Sequence, residues 1–311
     1  MNTKSLKTLE YNKIIAQLET YASSPLGRDL CRNLVPSIDV HEIRQMQKET
    51  SDALTRVRQK GSISFTGLKD VGGSLKRLEI GSSLNITELL AISSMLTIAA
   101  RAKAYGRHED DDEYEDSLEE MFRLLEPLTP LNNEIKRCIL SEDEISDEAS
   151  PGLHKVRRSM KAINDKVHSQ LNAILTSNRS YLQDAVITMR DGRYCLPVKS
   201  EYKSQVPGMV HERSQTGSTL FIEPAAVVDL NNKIKELEQQ EAEEIEVILA
   251  MLSASLAEHA DTILRNGELM TILDFVFAKA ELAMDMNATR PVLNEKGILR
   301  LRKARHPLLK K

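Results

Sequence analysis

The stretch at residues 150–178 reads SPGLHKVRRSMKAINDKVHSQLNAILTSN, and it decides the fold. Its start is typical of a helix N-terminus, because serine is a good helix cap and proline is tolerated in the first turn. The apolar residues that follow stand three or four positions apart: Leu153, Val156, Met160, Ile163, Val167, Leu171 and Ile174. This heptad spacing predicts a long helix that packs along one stripe against a partner helix, as in a coiled coil.

A segment of β character comes next. The turn pair Asp191-Gly192 separates AVITMR at 185–190 from RYCLPVK at 193–199, which predicts a hairpin. A second extended pair is predicted for GMVHERS and STLFIEP, which are joined by a turn at 215–217 and end at Pro224. The helical period returns at 225 and continues to Ile263, a length of roughly 60 Å at the α-helical rise. Two long helices around a β insert predict an antiparallel coiled-coil arm with the insert at its tip.

The composition favours a mainly α protein. The 311 residues include no Trp and only five Phe, whereas sandwiches and barrels depend on aromatic and β-branched residues. Three scattered cysteines, with no CxxC pair, are typical of a reducing compartment. The start lacks a signal-peptide pattern, and no apolar run approaches the about 20 residues of a membrane span. We therefore expect a cytoplasmic protein with no membrane partner.

Motifs for catalysis are missing from the sequence. It contains no GxxxxGK[ST] phosphate loop, no HExxH zinc motif and no GxSxG nucleophile elbow. The sequence therefore predicts no catalytic, metal or cofactor site within this chain. Whether the whole protein is an enzyme stays open at this point.

Positive charge is concentrated around the predicted tip. The chain has a net charge of −4, but residues 153–213 carry eleven Lys or Arg against five Asp or Glu. Such a patch favours phosphate contact, because each neutralised phosphate releases counterions. The candidates in the insert are Arg190, Arg193, Lys199, Lys203 and Arg213. The candidates on the preceding helix are Lys155, Arg157, Arg158 and Lys161. For the helix residues, simple solvation of a helix face is the alternative interpretation.

Negative charge is concentrated just before this region. Residues 109–148 carry sixteen Asp or Glu, beginning with EDDDEYED at 109–116. Because runs of like charge repel and stay hydrated, we expect a solvated acidic loop and helix face rather than a metal site.

Several stretches resemble the MutS-two branch of the bacterial MutS superfamily. They are LKTLEYNKIIAQLETYASSPLG (6–27), ISFTGLKDVGGSLKRLEIGSSL (63–84), RDGRYCLPVKSEYK (190–203), GMVHERSQTGSTLFIEPAAVVDLNN (208–232) and ARHPLL (304–309). The resemblance runs in order along the whole chain. It implies a helical core, a lever of long helices and a clamp at the tip of the lever.

The chain then divides into five segments. They are a helical core (1–150), an ascending lever helix (151–184), a β-rich clamp insert (185–224), a descending lever helix (225–265) and a return to the core (266–311). The last segment is basic and ends without a closing element, so we expect a truncated lead-in to a further domain. The resemblance implies that this domain is an ATPase that binds ATP and Mg, usually followed by a small Smr nuclease domain, in a homodimer.

The implied function is to clamp DNA, branched or duplex, or ribosomal RNA on the ribosome. Clamping would be coupled to ATP hydrolysis elsewhere in the protein, in recombination control or ribosome rescue. The alternative is a helical coiled-coil adaptor that binds a protein partner through the acidic region or the tip. Phe221-Ile222-Glu223 also matches the Phe-x-Glu pattern of mismatch readers, but its apolar strand context predicts that Phe221 is packed.

Overall fold

The computed structural model describes residues 3–107 and 116–309, so nearly all of the acidic run at 109–116 lies outside the described residues. The described parts are mainly α with small antiparallel sheets, which confirms the mainly α part of the predicted fold. The helices are α1 (Thr3–Thr8), α2 (Tyr11–Glu19), α3 (Pro25–Arg32), α4 (Val40–Lys60), α5 (Gly72–Glu79), α6 (Ile86–Gly106), α7 (Glu119–Leu124), α8 (Thr129–Cys138), α9 (Pro151–Ser177), α10 (Val228–Ala257) and α11 (Ala260–Asp285). The strands are β1 (Ile139–Ser141), β2 (Glu144–Ile145), β3 (Thr188–Arg190), β4 (Arg193–Lys199), β5 (Gly208–Arg213) and β6 (Thr219–Pro224). The chain forms two compact units, one of Met1–Lys136 with Ala250–Lys311 and one of Arg137–Leu249.

The first unit is a group of helices around α11. This helix contacts α2, α3, α4, α5, α6 and α7. Its buried residues include Met270, Val276, Ala278, Ala280 and Leu282, which at about 3.6 residues per turn spread over about two thirds of the helix circumference. A helix that is apolar on most sides is typical of a buried position, and α11 is therefore the centre of this unit.

Asp274 on α11 fixes the segment SSPLG at 23–27. Its two carboxylate oxygens accept hydrogen bonds from the backbone N–H and the hydroxyl of both Ser23 and Ser24, at 2.5–3.0 Å. The Ser24 hydroxyl oxygen in turn accepts from the Gly27 N–H at 2.9 Å and caps α3. A Cβ at Gly27 would collide with the Asp274 carboxylate. This segment, one of those that carry the family resemblance, therefore has a packing role.

The second unit joins a sheet to two long helices. The four strands are ordered β3-β4-β6-β5 and all neighbours are antiparallel, so both predicted hairpins are confirmed. Strands β4 and β6, which belong to different hairpins, pair at the centre. The core between the sheet and the helices is aliphatic and contains Val167, Leu171, Leu196, Val198, Leu220, Ile222, Val227 and Ile234.

Side-chain contacts show that α9 and α10 run antiparallel within this unit. The Ser150 hydroxyl at the start of α9 donates to Glu244 at 3.1 Å, and Arg157 donates to Glu241 at 2.6 Å. Leu171, near the end of α9, shares a core with residues at the start of α10. The continuous coiled-coil lever stays a prediction.

The helix after the sheet is interrupted inside the predicted descending segment. α10 ends at Ala257 and α11 begins at Ala260. Leu256 and Ile263 are both buried, and they lie about two turns apart at about 3.6 residues per turn. The apolar period therefore passes through the break unchanged, and for this reason the sequence pattern does not reveal it. Within 3–107 and 116–309, no single helix is long and apolar enough to span a membrane, although α10 and α11 pass that test as a bent pair.

Candidate nucleic-acid interface

The turn between β3 and β4 brings Arg190 and Arg193 opposite each other. They form the last pair of the hairpin register. Asp191 and Gly192 between them have φ angles of 50° and 68°. Two positive φ angles are the requirement of the type I′ turn that connects tightly paired strands, and Asp-Gly meets it well. The predicted turn is thus the reason that these two arginines occupy opposite positions on adjacent strands.

A buried carboxylate holds Arg193. Glu223 on β6 is 0% exposed, and it accepts hydrogen bonds at 2.8 Å from Arg193 and from Asn231. Its second oxygen is bonded to His211 at 2.6 Å. The other end of the Arg193 guanidinium donates to Asn232 at 2.6 Å. The charge of Arg193 is therefore matched inside the protein.

These partners keep Glu223 ionised. Burial by itself raises the pKa of a carboxyl group, because the charged form loses its hydration. Hydrogen bonds from Asn231, His211 and Arg193, together with the charge of Arg193, outweigh burial, so the pKa of Glu223 lies below its ordinary value. Glu223 is consequently a buried negative charge on strand β6.

Arg190 is engaged as well. Its guanidinium carbon lies 3.8 Å from the centroid of the Phe221 ring, a cation–π stack. It also forms an ion pair with Glu212. Phe221 is half-buried beneath it, in agreement with the packing predicted for the Phe-x-Glu segment, whose glutamate is the buried Glu223.

The remaining candidates in the insert are more accessible. Lys199 is half-buried and donates to the carbonyl of Ser180 at 3.2 Å. Lys203 and Arg213 are exposed, and neither has an ion pair among the residues that the structure describes. They lie in a 3₁₀ segment (Ser200–Gln205) and at the end of β5, respectively.

The cations of helix α9 that were predicted to bind phosphate differ in whether they have an ion-pair partner. Arg157 is fixed by Asp147 and Glu241, each at 2.6 Å. Lys155, Arg158 and Lys161 are exposed, with no ion pair within the described ranges 3–107 and 116–309. The structure thus provides five exposed candidates without a carboxylate partner: Lys155, Arg158, Lys161, Lys203 and Arg213.

The antiparallel helix has the opposite charge. α9 carries five Lys or Arg and one Asp, whereas α10 carries two Lys and seven Asp or Glu. Both lysines of α10 pair with glutamates of the same helix, Lys233 with Glu236 and Lys235 with Glu238. Any polyanion that approaches this unit is therefore attracted by α9 and repelled by α10.

The sequence did not reveal the hydrogen-bond network around Glu223, which also contains Asn231. Asn231 bridges the helix to the sheet, since its amide donates to the Tyr194 carbonyl and its oxygen accepts from the Tyr194 N–H, both at 3.2 Å. The sequence does contain an indication of this network, because Asn231 lies in the apolar stripe of the helix between the buried Val227 and Ile234. A polar residue in an apolar stripe indicates a buried hydrogen-bond partner.

The described residues contain no group of three or more His, Cys, Asp or Glu side chains suited to hold a metal ion. The one cysteine of the sheet, Cys195, is buried. Burial, followed by the nearby Glu223 carboxylate, raises the pKa of its thiol to about 11. Cys195 is therefore a core residue and a poor nucleophile at neutral pH.

The chain is similar to bacterial proteins named Endonuclease MutS2. It is 53% identical over 311 residues to the protein of Agathobacter rectalis. The alignment covers 99% of this chain and 39% of the relative's length. It is 52% identical over 316 residues to the Lachnoclostridium phytofermentans protein and 42% identical over 311 residues to one from Clostridium botulinum. Each of these two alignments covers 40% of the relative's length. The chain thus spans about two fifths of the length of the curated relatives it matches. No protein-family model matches it.

Proposed function

The chain belongs to the MutS2 family along the part of those proteins that it spans, and from this premise we propose that its second unit is a nucleic-acid clamp. The clamp contacts the sugar–phosphate backbone of DNA or of ribosomal RNA and does not read bases, since backbone contacts position a protein without selecting sequence. The contacts are made by Lys155, Arg158, Lys161, Lys203 and Arg213, and the half-buried Lys199 makes a further contact.

The observation that carries this proposal is the division of charge within the unit. The five exposed cations have no carboxylate partner among the described residues, whereas the lysines of α10 are paired. An unpaired cation loses little hydration energy and gains counterion release when it meets a phosphate. Three arginines already form ion pairs with glutamates of the same chain: Arg157, Arg190 and Arg193. Their main role in this proposal is to stabilise the fold.

In the full-length protein, α9 and α10 act as the lever that couples the clamp to an ATPase domain with bound ATP and Mg. A rigid-body tilt of such helices is a common form of conformational switching. The proposed assembly is a homodimer in the cytoplasm whose two clamps embrace one nucleic acid. The relatives' printed name, Endonuclease MutS2, supports an endonuclease activity of the whole protein. We propose that the whole protein acts in recombination control or ribosome rescue.

The test is binding of the chain to a labelled four-way junction, duplex DNA, single-stranded DNA and a structured RNA over a salt series. We expect affinity to fall steeply with salt, because each phosphate contact contributes a slope of about −0.9 in log K against log salt for duplex DNA. A preference for one probe at equal salt would identify the partner.

The competing function, a coiled-coil adaptor for a protein, predicts a different result. An apolar protein contact changes little with ionic strength. Failure to bind any of the four probes at low salt, together with salt-independent capture of a protein partner, would favour the adaptor and overturn the clamp.

A further inference from the structure

The first unit has a basic groove that the proposed clamp does not use. The groove has a volume of about 500 Å³ and lies between α4 and the segment at 290–293. Four basic side chains from these two parts of the sequence line it: His41, Arg44, Lys48 and Arg290. Because these side chains form the walls, a ligand in the groove reaches their charges directly.

The cations of the groove are free to meet a ligand. Arg44, Lys48 and Arg290 are exposed, and none of them forms an ion pair among the residues that the structure describes. An exposed cation without a carboxylate partner loses little hydration when it meets an anion and has no internal ion pair to break. The groove therefore presents charge that the fold itself does not use.

Two glutamates of α4 lie close to these cations in sequence, but neither lines the groove. Glu42 accepts a hydrogen bond from the Ser37 hydroxyl, and Glu49 accepts one from the Gln45 amide at 2.8 Å. The lining residues thus include cations and no carboxylate, and a surface of one sign of charge attracts ligands of the opposite sign.

Three of the basic residues form a row along α4. Side chains three and four positions apart lie on the same face of a helix, which is the spacing of His41, Arg44 and Lys48. The row is about 10 Å long at the helical rise. One strand of duplex DNA carries a phosphate about every 3.4 Å along its axis. The row therefore matches about three phosphates of an extended polyanion, whereas a single phosphate group contacts only part of it.

We propose that this groove is a second contact surface for the sugar–phosphate backbone of a nucleic acid. Arg44, Lys48 and Arg290 pair with phosphates, and each pairing releases counterions. His41 donates a hydrogen bond to a phosphate oxygen, which even a neutral imidazole ring can do. The surface belongs to the first unit and shares no residue with the clamp, so it contacts nucleic acid whether or not the clamp does.

The test is the affinity of the chain for a labelled DNA duplex, measured by fluorescence anisotropy over a salt series. We expect Arg44→Glu with Lys48→Glu to weaken binding at least tenfold and to reduce the salt slope by about 1.8, the value for two phosphate contacts. The control, Arg58→Glu with Lys76→Glu, makes the same change in formal charge at exposed positions of the first unit outside the groove. Its affinity should stay within twofold of the unmodified chain.

Two milder variants keep the test decisive if the charge reversal does not fold. Arg44→Gln with Lys48→Gln removes the charges without adding new ones and should weaken binding at least threefold. Arg44→Lys with Lys48→Arg keeps both charges and should stay within twofold of the unmodified chain. Equal affinities of the glutamine variant and the unmodified chain would overturn the proposal, as would equal losses in the charge-reversed groove variant and its control.

A short polyanion tests whether the groove takes an extended backbone. Tripolyphosphate should bind at least tenfold more weakly than the duplex. Tripolyphosphate that binds as tightly as the duplex, and loses that affinity in the groove variant, would assign the groove to a small phosphate compound and overturn the proposal. The clamp is judged separately by variants of Arg158 and Arg213, which lie outside the groove.

Discussion

Glu223 determines the role of the cations around it. It is wholly buried and bonded to Arg193, His211 and Asn231, so reversal of charge at Arg193 would place a second carboxylate against it. Breaking a buried ion pair from one side costs about 3–5 kcal/mol. We expect Arg193→Glu to lower the free energy of unfolding by that amount in urea denaturation followed by circular dichroism. Arg213→Glu, an exposed control, should stay within about 0.5 kcal/mol of the unmodified chain, and equal stability of the two variants would contradict this role of Glu223.

The same residue predicts a pH dependence. The folded chain lowers the pKa of Glu223 below its ordinary 4.5. A lowered pKa stabilises the fold above the unfolded-state value, and this stabilisation disappears as pH falls through the folded value. The free energy of unfolding should therefore decrease from about pH 5 downward more steeply for the unmodified chain than for Glu223→Gln. Parallel profiles of the two chains in urea titrations at stepped pH would show that Glu223 is not held as a carboxylate.

At the scale of elements, the β3–β4 turn depends on one glycine. Gly192 has a φ of 68°, a conformation that costs a residue with a side chain about 1–2 kcal/mol. We expect Gly192→Ala to destabilise the chain by that amount and to speed amide hydrogen exchange in β3 and β4. The matched control is Gly73→Ala on α5, where a Cβ meets nothing within 4 Å, and there alanine should be neutral or stabilising. Equal effects at both positions would exclude the strained turn as the cause.

One long helix and one hairpin could be predicted because the residues that determine each of them lie within a short stretch of the sequence. The heptad from Leu153 predicts α9, and Asp191-Gly192 predicts the first hairpin. The pairing of β4 with β6 was not predictable, since it depends on packing between two hairpins. The partners of Arg193 were hidden for the same reason: Glu223 and Asn232 lie 30 and 39 positions away. Sequence therefore identified the charged region, whereas only the fold separates its paired cations from its exposed ones.

At the scale of the whole molecule, the two units differ in architecture and in charge. The first unit is built around α11. The second presents positive charge on α9 and the insert and negative charge on α10. In the proposed clamp, nucleic acid approaches from the α9 side, because the acidic side repels it.

The most direct test of the clamp compares two double charge reversals with the same change in formal charge. Arg158→Glu with Arg213→Glu removes exposed cations of α9 and β5, and Lys233→Glu with Lys235→Glu removes the paired lysines of α10. Duplex and junction binding should weaken at least tenfold for the first pair, with a salt slope smaller by about 1.8. The second pair should stay within twofold of the unmodified chain. Equal losses in both variants, or no loss in the first, would contradict the clamp.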